Sequence, residues 1–377
     1  MSVDLSADGQ ILRLQIGSQS SRFHAIWLRD NAQDSHTRDV RNGQRLISLR
    51  DIPQNTYMQT AALVGTDILR IHFMPEDRLI DFSLRWLQAH IYDRPMPKQV
   101  GWVKPELALW DSQLSEHLPV ADFCQLQSDK QQQLLWLQKV VRYGFGKLTN
   151  GPVSDGALYQ IIDLFGYIRE TNYGRHFEVR VEDNPSNLAF TGAAIQAHTD
   201  NPYRDPVPSL QLLYCLQSTA SGGDSMLVDG FTAAQRLRDE KPHYFDLLSR
   251  YCARFEFAGE QGVCLHTRQP MIGLAADGEL TGVRFNNRSA AAFTDVPFVD
   301  MADYYAAYRY FGEILDDPVM EVAFRLAPGE CVLFDNTRVL HARKAFSGSG
   351  SRWLQGCYAD KDALWSKVHA AANHKVL

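Results

Sequence analysis

Short apolar runs alternate with turns over the first ninety residues: "ILRLQIG", "RFHAIWLRD", "RLISLRDI", "AALVGTDILRIHF" and "LIDFSLRWLQAHI". This period-two texture predicts a small β-rich N-terminal domain over residues 1–92. Residues 93–119 hold four of the sixteen prolines and no clean period, and read as a linker. From residue 120 the pattern changes. "SDKQQQLLWLQKVVRYG" spaces apolar residues by three and four between an Asx/Ser start and a glycine, which predicts a helix, and "GALYQIIDLFGYI" predicts a second. After residue 186 short strands dominate: "SLQLLYCLQ", "DSMLVDG", "RFEF", "VRFNN", "MEVAFRL", "CVLFDN" and "RWLQGCYA". Two amphipathic helices interrupt them, around 231–249 and 298–315. The larger domain, 120–377, therefore reads as mainly β with flanking helices, in a closed or double-sheet architecture.

Composition narrows the class. The chain has 377 residues, 45% hydrophobic and 22% charged, which suits a globular protein of one large and one small domain. A net charge of −6 without any basic block argues against nucleic acid as a partner. The N-terminus lacks the basic start and apolar run of a signal peptide, and no stretch approaches the ~20 apolar residues of a membrane span. Cys124, Cys215, Cys252, Cys264, Cys331 and Cys357 lie far apart in no metal-like pairing. They read as buried free thiols in a reducing cytoplasm.

The chemistry concentrates in two segments. In "QAHTDNPYRD", His198 and Asp200 are two residues apart, so an extended backbone points both to one side. Such a triplet alone is weak and could be a polar turn. The second segment, "DNTRVLHARKAFSGSGSRWLQGCYAD", supplies His341, with Arg352 eleven residues later. Two histidines and one carboxylate leave half an octahedron open, the set that favours Fe(II) in oxygen-using enzymes.

With "WLRDN" at 27–31, "HTDNP", "LQLLYCLQSTASGGDSMLVDGF", "VRFNN", "FDNTRVLHAR" and "SRWLQGCYAD", the sequence resembles the gamma-butyrobetaine hydroxylase family of Fe(II)/2-oxoglutarate oxygenases, within the taurine dioxygenase-like superfamily. The resemblance covers nearly the whole chain and implies a double-stranded β-helix, or jelly roll, for the catalytic domain. It also implies Fe(II), 2-oxoglutarate and O2 as reaction partners, with ascorbate as the assay reductant. His198, Asp200 and His341 match the metal ligands. Arg352 matches the residue that holds the remote carboxylate of 2-oxoglutarate, a task suited to a planar bidentate donor, and Ser225 of "GGDS" matches the assisting hydroxyl.

A trimethylammonium group has no N–H, so aromatic faces and distributed negative charge must hold it. Tyr173, Phe177, Phe190 and Tyr358 match the family's aromatic cage, with Tyr203 and Asp183 nearby in sequence. For the anionic end, the family uses an asparagine of the "FNN" segment, here Asn287, and the next residue is Arg288. A guanidinium there suits a phosphonate better than a single carboxylate, and Asn201 adds a possible amide donor. The expected substrate is a small quaternary-ammonium zwitterion, with 2-(trimethylammonio)ethylphosphonate slightly ahead of gamma-butyrobetaine. Trimethyllysine hydroxylation, and a non-catalytic betaine-binding jelly roll, are the further alternatives.

One departure from the family stands out. Ala32, Asp34, Thr37 and Arg78 occupy the positions of a structural zinc site's three cysteines and histidine. Without thiolates no zinc is expected. The resemblance further implies a homodimer.

Overall fold

The computed structural model describes residues 1–95, 99–180, 194–219, 221–260, 262–347 and 351–373. The chain divides into two compact units, Met1–Met96 and Pro97–Leu377.

In the first unit, strands β1 (Ser2–Leu5), β2 (Ile11–Ile16) and β3 (Gln19–His24) form one antiparallel sheet. A second consists of β4 (Tyr57–Val64), β5 (Ile68–Met74) and β6 (Arg78–Ser83). Alternation sets their faces: Leu69, Ile71 and Phe73 of β5 are buried while Arg70 is exposed. The inward faces share one core with α1 (Ala25–Asp30) and α2 (Leu84–Ala89). Both helices begin where a single strand was expected to run on. At α2, Ser83 turns the chain by accepting a hydrogen bond from the Trp86 N–H.

Of the four positions that differ from a zinc site, Asp34, Thr37 and Arg78 are engaged with one another. Ala32 and Thr37 are fully buried. The Thr37 hydroxyl donates to Asp34 at 2.6 Å, Arg78 donates to the other Asp34 oxygen at 2.7 Å, and Arg29 donates to Thr37 and pairs bidentately with Glu76. Burial pushes the Asp34 carboxyl up, but the Thr37 hydroxyl and the Arg78 and Arg29 guanidiniums hold it below its ordinary value.

The second unit is a jelly roll. Its larger sheet runs in the order β7 (Val120–Asp122), β8 (Phe145–Thr149), β19 (Cys331–Asp335), β11 (Leu210–Ser218), β22 (Arg352–Ala359) and β9 (Phe177–Arg180). The smaller runs β10 (Ile195–His198), β20 (Val339–Arg343), β13 (Ser225–Asp229) and β18 (Glu321–Phe324). Short pairs join β12 (Ser221–Gly222) to β21 (Phe346–Ser347), β14 (Cys252–Glu260) to β15 (Val263–Pro270), and β16 (Ile272–Leu274) to β17 (Leu280–Val283).

Phe145, Cys215, Leu227, Val322, Val332, Phe334 and Leu354 fill the space between the two sheets. The outer face of the larger sheet is covered by α3 (Phe123–Ser128), α4 (Lys130–Tyr143), α5 (Leu158–Ile162) and α9 (Lys361–Asn373). The smaller sheet is covered by α6 (Gly230–Glu240), α7 (Pro242–Arg250) and α8 (Met301–Leu315). Strand β11 shows why its sequence is almost continuously apolar. Leu210, Leu212 and Tyr214 face the helices, while Gln211, Leu213 and Cys215 face the interior.

Three expectations need adjustment. The helix around 231–249 is two helices, because Pro242 has no N–H to continue the first and instead opens the second. Residues 99–119, read as linker, pack into the second unit: Trp110 is buried and its indole donates to the Tyr143 carbonyl at 2.6 Å. Of the six free cysteines, Cys215, Cys331 and Cys357 are buried, whereas Cys124 and Cys264 are exposed. No described helix is long and apolar enough to cross a membrane.

A buried ion pair ties this unit together. Arg338 meets Asp229 through two bonds of 3.0 and 2.9 Å, with side chains 2% and 0% exposed. Asp229 also accepts from the backbone N–H groups of Phe231 and Trp110 and from Thr232, and Arg338 donates to the carbonyls of Arg142 and Ala108. Truncating one partner strands the other charge. Asp229→Ala is therefore expected to lower unfolding free energy by about 3–5 kcal/mol in urea titration, and Asp229→Leu combined with Arg338→Met by clearly less.

Candidate active site

The segment His198–Asp200 leaves the end of β10 with its backbone clamped on both sides. The Thr199 N–H donates to the Phe285 carbonyl, its hydroxyl accepts from the Phe285 N–H, and its carbonyl accepts from Asn286. Asp200 donates its N–H to Asn336 Oδ1 at 2.7 Å, and Asn336 Nδ2 returns a bond to the Asp200 carbonyl at 2.9 Å. His341 lies on β20 directly across from His198.

These three side chains converge. His198 Nε2 is 3.3 Å from one Asp200 oxygen and His341 Nε2 is 3.9 Å from the other. One ligand atom from each residue lies within 4.8 Å of the others. His198 Nδ1 donates to the Gln196 carbonyl at 2.8 Å, which orients the ring and turns Nε2 toward Asp200. Burial, with His198 alongside, pushes His341 down to about 3, so its imidazole is neutral at neutral pH. Burial pushes the Asp200 carboxyl up, yet the charged groups around it, Arg288 among them, hold it well below the usual carboxylate range. A neutral imidazole at His341 and an ionised carboxylate at Asp200 are the protonation states that a divalent cation requires. The donor set fits iron.

The triad opens into a cavity of about 350 Å³ between the two sheets. Of the expected site residues, Ser225, Arg352, Tyr173, Phe177, Asn201, Tyr203, Arg288 and Tyr358 line it together with His198, Asp200 and His341. Asp183 and Phe190 lie outside the described residues. Asn287 does not line the cavity: it is exposed and donates to Gln196 Oε1. Its neighbour Asn286 lines the wall instead. The 285–289 segment is a turn in which Asn286 Oδ1 accepts from the N–H groups of Arg288 and Ser289, so strand alternation does not apply there.

Three further residues belong to the wall. Phe257 stacks on Tyr203 with centroids 5.2 Å apart and meets Tyr173 edge-on at 5.9 Å. Tyr173 in turn lies 6.4 Å from Phe177, and Phe177 lies 5.2 Å from Tyr358. Five rings thus form one continuous series. Arg343, two residues beyond His341 and on the same face of β20, is paired across the sheet with Ser225. Burial, with Arg352 and Arg288 nearby, pushes its guanidinium down to about 10. Gln211 of β11 is 1% exposed and donates from Nε2 to Asp200 at 2.9 Å. The alternation rule could have flagged Arg343 and Gln211 as inward-facing polar residues. It could not have found Phe257.

Asn201 adopts φ 54°, in the left-handed region. Its Oδ1 accepts from the Tyr203 hydroxyl at 2.6 Å, and the Tyr203 oxygen lies 2.8 Å from that of Tyr173. Asn201 Nδ2 is buried and has no hydrogen-bond partner among the described residues.

The family model "Taurine catabolism dioxygenase TauD, TfdA family" matches residues 109–358. Gamma-butyrobetaine dioxygenase of Pseudomonas sp. (strain AK-1) is 34% identical over 349 residues, covering 92% of this chain and 90% of that protein. Trimethyllysine dioxygenase of Meyerozyma guilliermondii is 31% identical, covering 97% and 95%. Gamma-butyrobetaine dioxygenase of Homo sapiens is 27% identical, covering 93% and 91%. A family model spanning most of the second unit, relatives aligned along almost the whole length and a converging His–Asp–His set lead to one conclusion: the chain belongs to the TauD/TfdA family and is an Fe(II)- and 2-oxoglutarate-dependent dioxygenase.

Proposed function

We propose that this enzyme hydroxylates a C–H bond of a small trimethylammonium zwitterion whose anionic end is a phosphonate, as in 2-(trimethylammonio)ethylphosphonate. Iron held by His198, Asp200 and His341 would supply the oxidising power that couples conversion of 2-oxoglutarate and O2 to succinate and CO2 with insertion of one oxygen atom into the substrate. The chain's own task is to hold two organic molecules in register. Arg352 and Ser225 are assigned to the remote carboxylate of 2-oxoglutarate. The series Tyr203, Phe257, Tyr173, Phe177 and Tyr358 is assigned to the quaternary ammonium, which aromatic faces attract without any N–H donor. Because the Tyr173 and Tyr203 hydroxyls are engaged with each other and with Asn201, they place no competing donor on the cation.

The observation that carries the phosphonate is Arg288 on the cavity wall together with the buried, unpartnered Nδ2 of Asn201. A phosphonate offers three oxygens and up to two charges to such donors. Gamma-butyrobetaine is the second reading, favoured by the relatives that carry its name. Trimethyllysine is the third reading: Arg288 and Arg343 on the wall would repel its ammonium head, although Glu256, exposed like Arg288, lines the same wall.

Succinate release measured with both substrates decides between the readings. The phosphonate is expected to give the higher kcat/KM, and preference for gamma-butyrobetaine would overturn the assignment. Arg288→Ala is expected to lower kcat/KM for the phosphonate about 10- to 100-fold, corresponding to charged hydrogen bonds of roughly 1.5–3 kcal/mol, and for gamma-butyrobetaine by less. Phe257→Ala should weaken the quaternary amine by about 0.5–2 kcal/mol and an uncharged tert-butyl isostere by less. Equal losses would mean simple packing. Arg352→Ala should raise the KM for 2-oxoglutarate far more than that for the second substrate, and His198→Ala or Asp200→Ala should abolish succinate formation.

A further inference from the structure

Asp200 has two carboxylate oxygens, and only one is left for a metal. Oδ2 accepts from Gln211 Nε2 at 2.9 Å and from the Tyr358 hydroxyl at 3.0 Å. A carboxylate oxygen has two in-plane lone pairs, so two donors saturate it. Oδ1 faces His198 Nε2 at 3.3 Å with its own lone pairs uncommitted to either donor. We propose that Gln211 and the Tyr358 hydroxyl are positioning groups that restrict Asp200 to one-oxygen ligation through Oδ1, keeping the far side of the site open for small molecules. The proposal rests on the reading of His198, Asp200 and His341 as the metal ligands.

Two features argue against a merely structural role. First, the donors are delivered by register: Gln211 of β11 and Tyr358 of β22 are direct cross-strand partners, so one sheet position aims both at the same atom. Second, Gln211 is poorly satisfied where it sits. Its Oε1 is buried and has no partner among the described residues. An amide with an orphan oxygen on an inward position beside Leu213 and Cys215 is disfavoured, and an apolar side chain of similar shape would fit that position without the penalty. What the amide achieves there is its bond to Asp200. Tyr358 likewise needs only its ring to pack on Phe177, and its hydroxyl serves the carboxylate. Groups that orient a ligating carboxylate typically govern metal affinity by 10- to 100-fold.

The test uses the full chain stripped of metal and titrated with Co(II), followed by visible absorption. Gln211→Met and Tyr358→Phe, both near-isosteric, are each expected to bind Co(II) about 10- to 100-fold more weakly, with an altered ligand-field spectrum as Oδ2 joins the ion. The melting temperature of Gln211→Met should be unchanged or raised. Parent-like affinity and spectrum in both variants would overturn the proposal, and so would a lowered melting temperature with unchanged affinity. Failure of the parent itself to bind Co(II) would instead remove the metal-ligand reading on which the proposal stands. If one variant fails to fold, the other carries the same comparison alone.

Discussion

A single ionised carboxylate placed between two apolar sheets is the constraint around which the second unit is arranged. Left alone in such surroundings, Asp200 would take up a proton. Every polar contact near it works against that outcome. Asn336 grips its backbone from both sides, Gln211 and Tyr358 donate to one oxygen, and Arg288 stabilises the charge.

The jelly roll is suited to this because it offers inward positions from two facing sheets. The smaller sheet contributes His198, His341, Ser225 and Arg343, and the larger contributes Gln211, Tyr358, Phe177 and Arg352. Helices seal the outer faces, so the sheets stay in place through contacts made away from the cavity. The Asp229–Arg338 pair adds a polar anchor at the turn that leads into β20, which carries His341.

Much of this was legible in the sequence because it depends on short-range periodicity. Histidine and aspartate two residues apart, a second histidine on an apolar strand and an arginine further along are local signals, and the structure gathers them at one cavity. The parts that escaped depend on long-range placement. Phe257 reads like any alternating strand residue, and its place in the ring series is set by where the β14–β15 hairpin lies. Asn286 and Asn287 cannot be distinguished by pattern, because a turn obeys no period of two. Alternation marks Gln211 as an inward polar exception in an apolar run, but its pairing with Tyr358 follows from β22 being its neighbour. In the first unit, the strand-to-helix switch at Ser83 is a capping signal set within a longer apolar stretch.

Asn201 carries a consequence for how this enzyme could be altered. It holds a left-handed backbone conformation that glycine adopts without strain. Glycine there would erase the acceptor that holds Tyr203 and a buried amide donor of the cavity wall. A search for thermally robust variants that scores backbone comfort would favour that replacement, and in doing so would strip the cavity wall of a polar side chain. At this residue, backbone comfort and the polar lining of the cavity pull in opposite directions.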